Sequence, residues 1–515
     1  MLKRAMRSFG RIDLAFAFAA VVVAAAVFYA WYFQEFYIGL FMAPFFALGC
    51  ARGKRPLVLI ALSLAPAIFL IVGSYIKFFL TGLPLVTYDH YFLRRNVLML
   101  AYNDWRVATA LVIAVVATVY YFKSLVSGRG PFSGFERVFV GALVLATLGG
   151  VVNSQRWDSN ILNWETQSMP PGLDTLVRSA QVPSPQLHLP PDAIAGAIET
   201  PKTFEGPDGA RPDIFFVLQE STFHPSAMKP DYKSKTLFAT NADQSGPLRI
   251  HTFAGGTWKS EFSVTTQMRP QEFGSDGLYV FHQLEGRIRR SIFTELKKLG
   301  YRTVVFYPVP GFFLNARAFY SSIGVDEFYD PVSLGISNGW NWKLSDAALY
   351  DAMLAKIGNS GPPIVAMMLT INQHGPHDAE DPFKDYLARF EKSDADYKHF
   401  LDALAKRGRP AGVAAFGDHQ PEFTARFIED HSAWYYTAYD IRCVNFACAK
   451  SDAGGSSKGV DVTMLTPIAM ERFGFKLDDF SQLERQIFQS CEDNIERCAE
   501  DKRREFNAVF SRYFD

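Results

Sequence analysis

The 515-residue chain has no excess of charge of either sign: 52 Lys and Arg balance 52 Asp and Glu. Phosphate polyanions ordinarily require a basic excess, so nucleic acid is excluded as a partner. Cysteine is scarce, with five residues in the whole chain, which excludes a small disulfide scaffold. Charge is also scarce in one region, the first 155 positions, where apolar residues crowd together. The overall apolar content of 49% excludes intrinsic disorder and collagen, and the mean hydropathy of +0.02 averages over two unlike halves.

The first half reads as membrane-embedded. Leu14–Phe33 is a run of twenty residues without a charge, and twenty residues at 1.5 Å each span about 30 Å of hydrocarbon. Further apolar runs cover Phe36–Ala51, Leu57–Ile76, Val107–Phe122 and Val138–Val152, giving five expected spans. A cleaved signal peptide is the alternative for the first run, but its apolar core is too long and four more spans follow. Lys3, Arg4, Arg7 and Arg11, then Arg52, Lys54 and Arg55, then Lys123, Arg129 and Arg137 fall on one side of a five-span topology. The positive-inside rule makes that side cytoplasmic, although Arg94 and Arg95 lie on the other. Everything after residue 155 is then expected outside the cytoplasm, in the periplasm or extracellular space.

Cys50 lies in a span and reads as a packed thiol. The other four cysteines form two close pairs, Cys443/Cys448 and Cys491/Cys498, which suits two local disulfides in an oxidising compartment. Four reduced thiols in a cytosolic domain are the alternative. A zinc knuckle is disfavoured, since neither spacing is C-x2-C.

Residues 156–210 are rich in Pro and polar residues and read as a connector with one short helix near 172–180. The catalytic half is expected over 211–515. Asp213–Gln219 is an apolar run that suits a buried parallel strand, and similar runs occur at 303–307, 364–370 and 412–416. Helical patterns at 287–299 and 388–405 alternate with them, so the expected fold is α/β with a mostly parallel sheet. In such sheets the site forms at the carboxyl ends of the strands.

Those ends carry Glu220, then Asn372-Gln373-His374-Gly375-Pro376-His377, then Asp418-His419. Each offers donor atoms for a hard or borderline divalent cation. Taken singly, each has a plainer reading: a helix cap for Glu220, a turn for His374 and an Asx-type turn for Asp418-His419. Their expected co-location favours a metal site. Ala254-Gly255-Gly256-Thr257-Trp258-Lys259-Ser260-Glu261-Phe262 places a hydroxyl beside two glycines, suited to a metal-activated nucleophile. The plainer reading is a Gly-Gly turn before a helix capped by Thr257.

Glu220 after DIFFVLQ, the GGTWKSEF segment, the FYDP region and GDHQP together resemble the sulfatase/alkaline-phosphatase superfamily. More narrowly they resemble five-span membrane enzymes of the lipoteichoic acid synthase type, with the phosphoglycerol and phosphoethanolamine transferases. The resemblance implies a helical membrane domain plus a sulfatase-like extracytoplasmic domain, and a divalent zinc or manganese ion. It implies Glu220, Thr257, Asp418 and His419 as metal ligands, with Thr257 the nucleophile. His374 would contact the substrate phosphate, with His377 beside it, and His431 is a candidate ligand for a second zinc. Phe313-Leu314-Asn315-Ala316-Arg317 departs from the family's Phe-Trp-Asn-Arg-like segment, which leaves Asn315 and Arg317 as substrate-binding candidates. Lys259, also a candidate, replaces a small polar residue.

The resulting expectation is a transferase of the inner (cytoplasmic) membrane. It would take a phosphoglycerol or phosphoethanolamine head group from a membrane phospholipid, through a phospho-threonine, to a glycan or lipid acceptor. Two alternatives stand beside it: a hydrolase with water as acceptor, and a tethered binding protein with a decayed site. Thr257-Trp258-Lys259-Ser260 lacks the C/S-x-P-x-R pattern of true sulfatases, which disfavours sulfate ester cleavage.

Overall fold

A computed structural model of the chain describes residues 45, 56–81, 85–89, 101, 105–126, 172–179, 202–209, 211–228, 242–336, 344–378, 380–450 and 459–490. The expected spans at 14–33 and 138–152, and all but residue 45 of the one at 36–51, lie outside these residues, as do Cys50, Cys491 and Cys498. The described residues form two compact units that divide between 182 and 183.

In the first unit, α1 (Pro56–Thr81) and α2 (Trp105–Val126) contain the third and fourth expected spans. Among the described residues no helix is long and apolar enough to cross a membrane. A third helix, α3 (Leu173–Ser179), supplies the short helix expected near 172–180. Ser74 Oγ accepts from the amides of Leu85 and Gly172, both at 3.0 Å, and Lys77 pairs with Asp89 at 2.8 Å.

The second unit is built on one eight-stranded sheet. Its strands are β1 (Asp213–Gln219), β2 (Gln244–Arg249), β3 (Arg302–Phe306), β4 (Glu327–Tyr329), β5 (Ile364–Leu369), β6 (Ala411–Gly417), β7 (Tyr436–Val444) and β8 (Val460–Asp461), in the spatial order β4-β3-β5-β1-β6-β7-β2-β8. Strands β4 to β6 run parallel to one another, while β7 is antiparallel to both β6 and β2. All seven residues of β1 are buried, as a central strand covered on both faces must be. Strand alternation sends Ile214, Phe216 and Leu218 into one core and Phe215 and Val217 into the other. The first core is covered by α4 (Thr257–Thr266), α5 (Ile292–Lys298), α6 (Ala316–Ser322), α9 (Leu465–Arg472) and α10 (Asp479–Ser490). The second is covered by α7 (Asp346–Ile357) and α8 (Pro382–Lys406).

Helix α8 shows how the sequence dictates its element. Pro382 occupies the first turn, where its missing N–H costs nothing, and Asp381 caps the helix by accepting from Lys384 N. Phe383, Tyr386, Phe390, Tyr397, Phe400 and Leu404 recur at helical spacing and are all buried. The four strands expected from apolar runs are present within one residue at each end.

Candidate metal and nucleophile site

The end of β1 delivers Glu220 and the end of β6 delivers Asp418 and His419; the two strands are adjacent and in register, with Gln219 opposite Gly417. All three side chains are buried, and their ligand atoms lie within 4.8 Å of one another. His419 Nε2 is 3.5 Å from Glu220 Oε1 and 3.3 Å from Asp418 Oδ2. Nδ1 lies 3.0 Å from the Gln420 carbonyl, which can only accept, so Nδ1 carries a hydrogen and Nε2 is the nitrogen turned toward the carboxylates. One imidazole nitrogen and two carboxylates thus converge on one point. Asp418 Oδ2 has no hydrogen-bond partner among the described residues. Such a convergence is unfavourable unless a cation or a proton occupies it, and its N/O donor set fits a divalent ion such as zinc or manganese.

Burial, and next the Asp418 carboxylate, push the pKa of Glu220 well above the usual carboxylate range, with His419 opposing. Neighbouring groups fix the ligands in place. Ser221 N donates to Asp418 Oδ1 at 2.7 Å, and Ser221 Oγ donates to Glu220 Oε1 at 2.8 Å. Glu220 N donates to Thr370 Oγ at 3.0 Å. Ser221 makes these contacts from the left-handed region, at φ 50°, a strained conformation of the kind that concentrates at functional sites.

Thr257 is the first residue of α4, and its Oγ lies 3.4 Å from His419 Nε2. The helix is capped by Gly256 at φ 81°, so Thr257 is not the cap that the plainer reading assigned to it. A Cβ at Gly256 would stand 2.6 Å from Thr252 Oγ, so glycine there serves both the backbone turn and the close approach. Two contacts lock this loop to the Asp-His strand end: Ala254 N donates to Gln420 O at 3.0 Å, and Ser260 Oγ donates to Asp418 O at 2.7 Å.

Gly417 is the tightest point of the site: a Cβ there would lie 1.7 Å from the Thr222 carbonyl oxygen. Gly417→Ala is therefore expected to force apart the strand ends that carry Glu220 and Asp418. It should destabilise the unit by about 3 kcal/mol and weaken cation binding; thermal melting with and without zinc checks both, and an unchanged Tm counts against the packing described.

The other sequence candidates fall elsewhere. His374 is exposed on the loop after β5, the other neighbour of β1, with Nδ1 2.7 Å from Gly375 O. Arg389 donates to the carbonyls of His374 and Pro376, and Gln373 reaches across to donate to Glu220 O. His377 packs against Tyr386 and Phe423. Burial, then the Arg389 guanidinium, push its pKa down to about 4, so it is neutral at pH 7. Lys259 is buried on α4. Asn315 donates to Phe281 O and Glu285 Oε2, and Arg317 is held by Asp330 at 2.9 Å and the Phe328 carbonyl at 3.0 Å. His431 is exposed and packs against Trp434, with ring centroids 4.3 Å apart, and is outside the Glu220–Asp418–His419 group. Cys443 and Cys448 form the first of the two expected disulfides. Sequence reasoning missed Ser221, Ser260 and Thr370; each follows or faces a ligand, but a lone hydroxyl residue carries no signal of which carboxylate it will hold.

A largely parallel sheet with a buried Asp-His-Glu cluster at its strand ends and a hydroxyl at a helix start defines an alkaline-phosphatase-like α/β domain. The sulfatase family model matches residues 212–440, the stretch that holds Glu220, Thr257, Asp418 and His419. An uncharacterized protein of Haemophilus influenzae is 28% identical over 301 residues, 52% of this chain and 55% of its own length. The lipoteichoic acid synthase-like YvgJ of Bacillus subtilis is 24% identical over 185 residues, 33% of this chain and 29% of its own. The chain thus spans about half, or less, of these curated relatives. Among solved structures, the Streptococcus pyogenes phosphoglycerol transferase GacH, in complex with sn-glycerol-1-phosphate, superposes with a TM-score of 0.49 at 17% identity, covering 59% of this chain and 86% of that one.

Proposed function

We propose that the protein is a metal-dependent transferase that moves a phospholipid head group, phosphoglycerol or phosphoethanolamine, to a glycan or lipid acceptor. The observation that carries this reading is the approach of the half-buried Thr257 hydroxyl to His419 Nε2 at 3.4 Å, beside the Glu220 and Asp418 carboxylates. Glu220, Asp418, His419 and Thr257 would hold a zinc or manganese ion, which supplies Lewis acidity and favours the alkoxide form of the hydroxyl.

Thr257 Oγ gives up its proton to solvent, from which His374 is recharged, and attacks the phosphorus of the donor. The P–O bond to diacylglycerol breaks, and the diacylglycerol oxygen leaves with a proton, for which His374 is the candidate donor. The head-group phosphate is then esterified to Thr257. An acceptor hydroxyl attacks the same phosphorus, its proton returns to Thr257 Oγ as that oxygen leaves, and the new phosphodiester is released. His377, neutral at pH 7, lines the loop that presents His374. Lys259, Asn315 and Arg317 stand as further substrate-side candidates, and His431 as a ligand for a second ion, each open to single substitution.

A membrane location would suit this reading. Phe69 on α1 and Tyr120 on α2 are 64% and 71% exposed, and Ile68, Val112, Ile113, Val115, Val116 and Val119 are exposed with them. A row of bare apolar side chains along helices drawn from long apolar runs suits contact with lipid tails. The site would then act on the outer face of the cytoplasmic membrane, beside its donor pool. The Cys443–Cys448 disulfide fits that oxidising side.

The test supplies zinc or manganese and phosphatidylglycerol or phosphatidylethanolamine labelled in the head group, with a glycan acceptor extract. Label is expected in the acceptor fraction, in step with diacylglycerol release. Label released only as free glycerol phosphate or ethanolamine phosphate would make the protein a hydrolase, and no diacylglycerol from either lipid would refute the reading.

A further inference from the structure

Glu261 is a buried acid that the steps above do not use. It lies one helical turn after Thr257 on α4 and is 1% exposed. Its two carboxyl oxygens go to two different elements. Tyr307, just past the end of β3, donates to Oε1 at 3.2 Å, and Tyr320, on α6, donates to Oε2 at 2.7 Å. Both tyrosines are buried, and Tyr320 is enclosed by the rings of Phe281, Phe293 and Phe328. Neither phenol has room to turn to water. Helix α4 is therefore held from two sides. Ser260 Oγ ties it to the Asp418 carbonyl on the site side, and Glu261 ties it to β3 and α6 on the other.

The geometry demands a carboxyl or its isostere at this position. The core on this side is aromatic: Phe262 and Phe319 pack at 6.0 Å, and Phe281 stacks on Phe319 at 4.4 Å. A glutamate costs desolvation in such a place, and burial does push its pKa up to about 8, against the two phenolic hydrogen bonds. An apolar side chain would fill the space without that cost if packing were the only demand. What the carboxyl supplies is direction, with two oxygens aimed at two fixed hydroxyls.

We propose that Glu261 is a positioning residue: by bridging Tyr307 and Tyr320 it sets the orientation of the helix that presents the Thr257 hydroxyl to the Glu220–Asp418–His419 cluster. It acts on the rate of nucleophilic attack and leaves cation and donor binding nearly unchanged, because it touches neither. This inference rests on the transferase reading for its kinetic consequence, while its structural consequence stands without it.

The experiment compares Glu261→Ala, Glu261→Gln and the double variant Tyr307→Phe/Tyr320→Phe with the native full-length, zinc-loaded protein. Amide hydrogen exchange over 257–266 reads the tether directly, whatever the substrate. Glu261→Ala and the double variant should exchange there at least about tenfold faster. Glu261→Gln, which keeps an acceptor and a donor at the same reach, should stay within about threefold. With labelled phospholipid, Glu261→Ala should lose about a hundredfold in kcat, with KM and zinc affinity within about threefold of native. Glu261→Gln should recover most of that loss. Exchange over 257–266 that is unchanged in Glu261→Ala overturns the proposal. So does a Glu261→Gln variant that exchanges as fast as Glu261→Ala, or a loss in Glu261→Ala confined to KM or zinc affinity. If the native protein turns over no phospholipid, the transferase reading fails alone, and the exchange comparison still decides the tether.

Discussion

Thr257→Ala is expected to bind zinc, melt within a few degrees of the native protein, and lose head-group transfer by a factor of about 10⁴ or more. The variant should fold because the helix start does not depend on the hydroxyl. Gly256 is the N-cap, the first-turn amide of Lys259 already bonds to Gly256 O, and alanine is the best helix former. Zinc should be retained through Glu220, Asp418 and His419, the three groups that converge without Thr257. The loss should be near total because the neighbouring hydroxyls are committed elsewhere. Ser260 Oγ donates to the Asp418 carbonyl, Ser221 Oγ to Glu220, and Thr222 Oγ to the Glu220 carbonyl. Thr257→Ser, which keeps an oxygen with one more rotamer freedom, should retain a measurable fraction of the rate. Intact-mass analysis during turnover adds an independent reading: a phosphorylated intermediate in the native protein and none in Thr257→Ala. Normal turnover by the alanine variant would remove Thr257 from the chemistry.

The central sheet and the cluster were legible in the sequence for one reason. Strands β1, β3, β5 and β6 are covered on both faces, so burial writes itself as unbroken apolar runs, and a parallel sheet puts its ligands where those runs end. Strand β2, Gln244–Arg249, shows where that logic stops. It contains Gly246 and Pro247, residue types typical of turns, yet it pairs along its whole length with β7. The partner supplies the register: Gly246 lets the Tyr439 ring lie close, with a Cβ there only 3.3 Å from it. Strand β7 itself, YTAYDIRCV, hides an internal ion pair, Asp440–Arg442, that breaks the apolar pattern although Asp440 is fully buried. The same limit applied at the site. Glu220, Asp418, His419 and Thr257 stood out because they end strands or start a helix. The partners of Asn315 and Arg317, Glu285 and Asp330, could not be read, because they are set by tertiary contacts that no local spacing encodes.

Asp418→Asn is expected to make the metal-free protein more stable while lowering zinc affinity by at least a hundredfold. The native, metal-free site buries Asp418 Oδ2 without a hydrogen-bond partner, with the Glu220 carboxylate close by. An asparagine keeps Oδ1 as acceptor for Ser221 N and removes one of the buried negative charges. Losing that unpartnered charge is a gain of about 1 to 3 kcal/mol, and the ion loses a ligand charge. The pH dependence carries the same signature. Glu220 keeps its proton in the folded state well above the unfolded value of 4.5, because of burial and of Asp418, and buried Glu261 does so up to about 8. The folded state therefore binds more protons than the unfolded one in this window, so stability falls as pH rises from about 4.5 toward 8. Zinc takes the place of the Glu220 proton, so its stabilisation should grow with pH over the same range, and the loaded protein should melt with a flatter pH profile. Removing the Asp418 charge lowers the pKa of Glu220 and flattens the metal-free profile as well. Melting curves at pH 5, 6.5 and 8, with chelator and with zinc, test the whole chain. An Asp418→Asn protein less stable than metal-free native protein at pH 8, or one that binds zinc as tightly, would show that these carboxylates are not arranged around a cation.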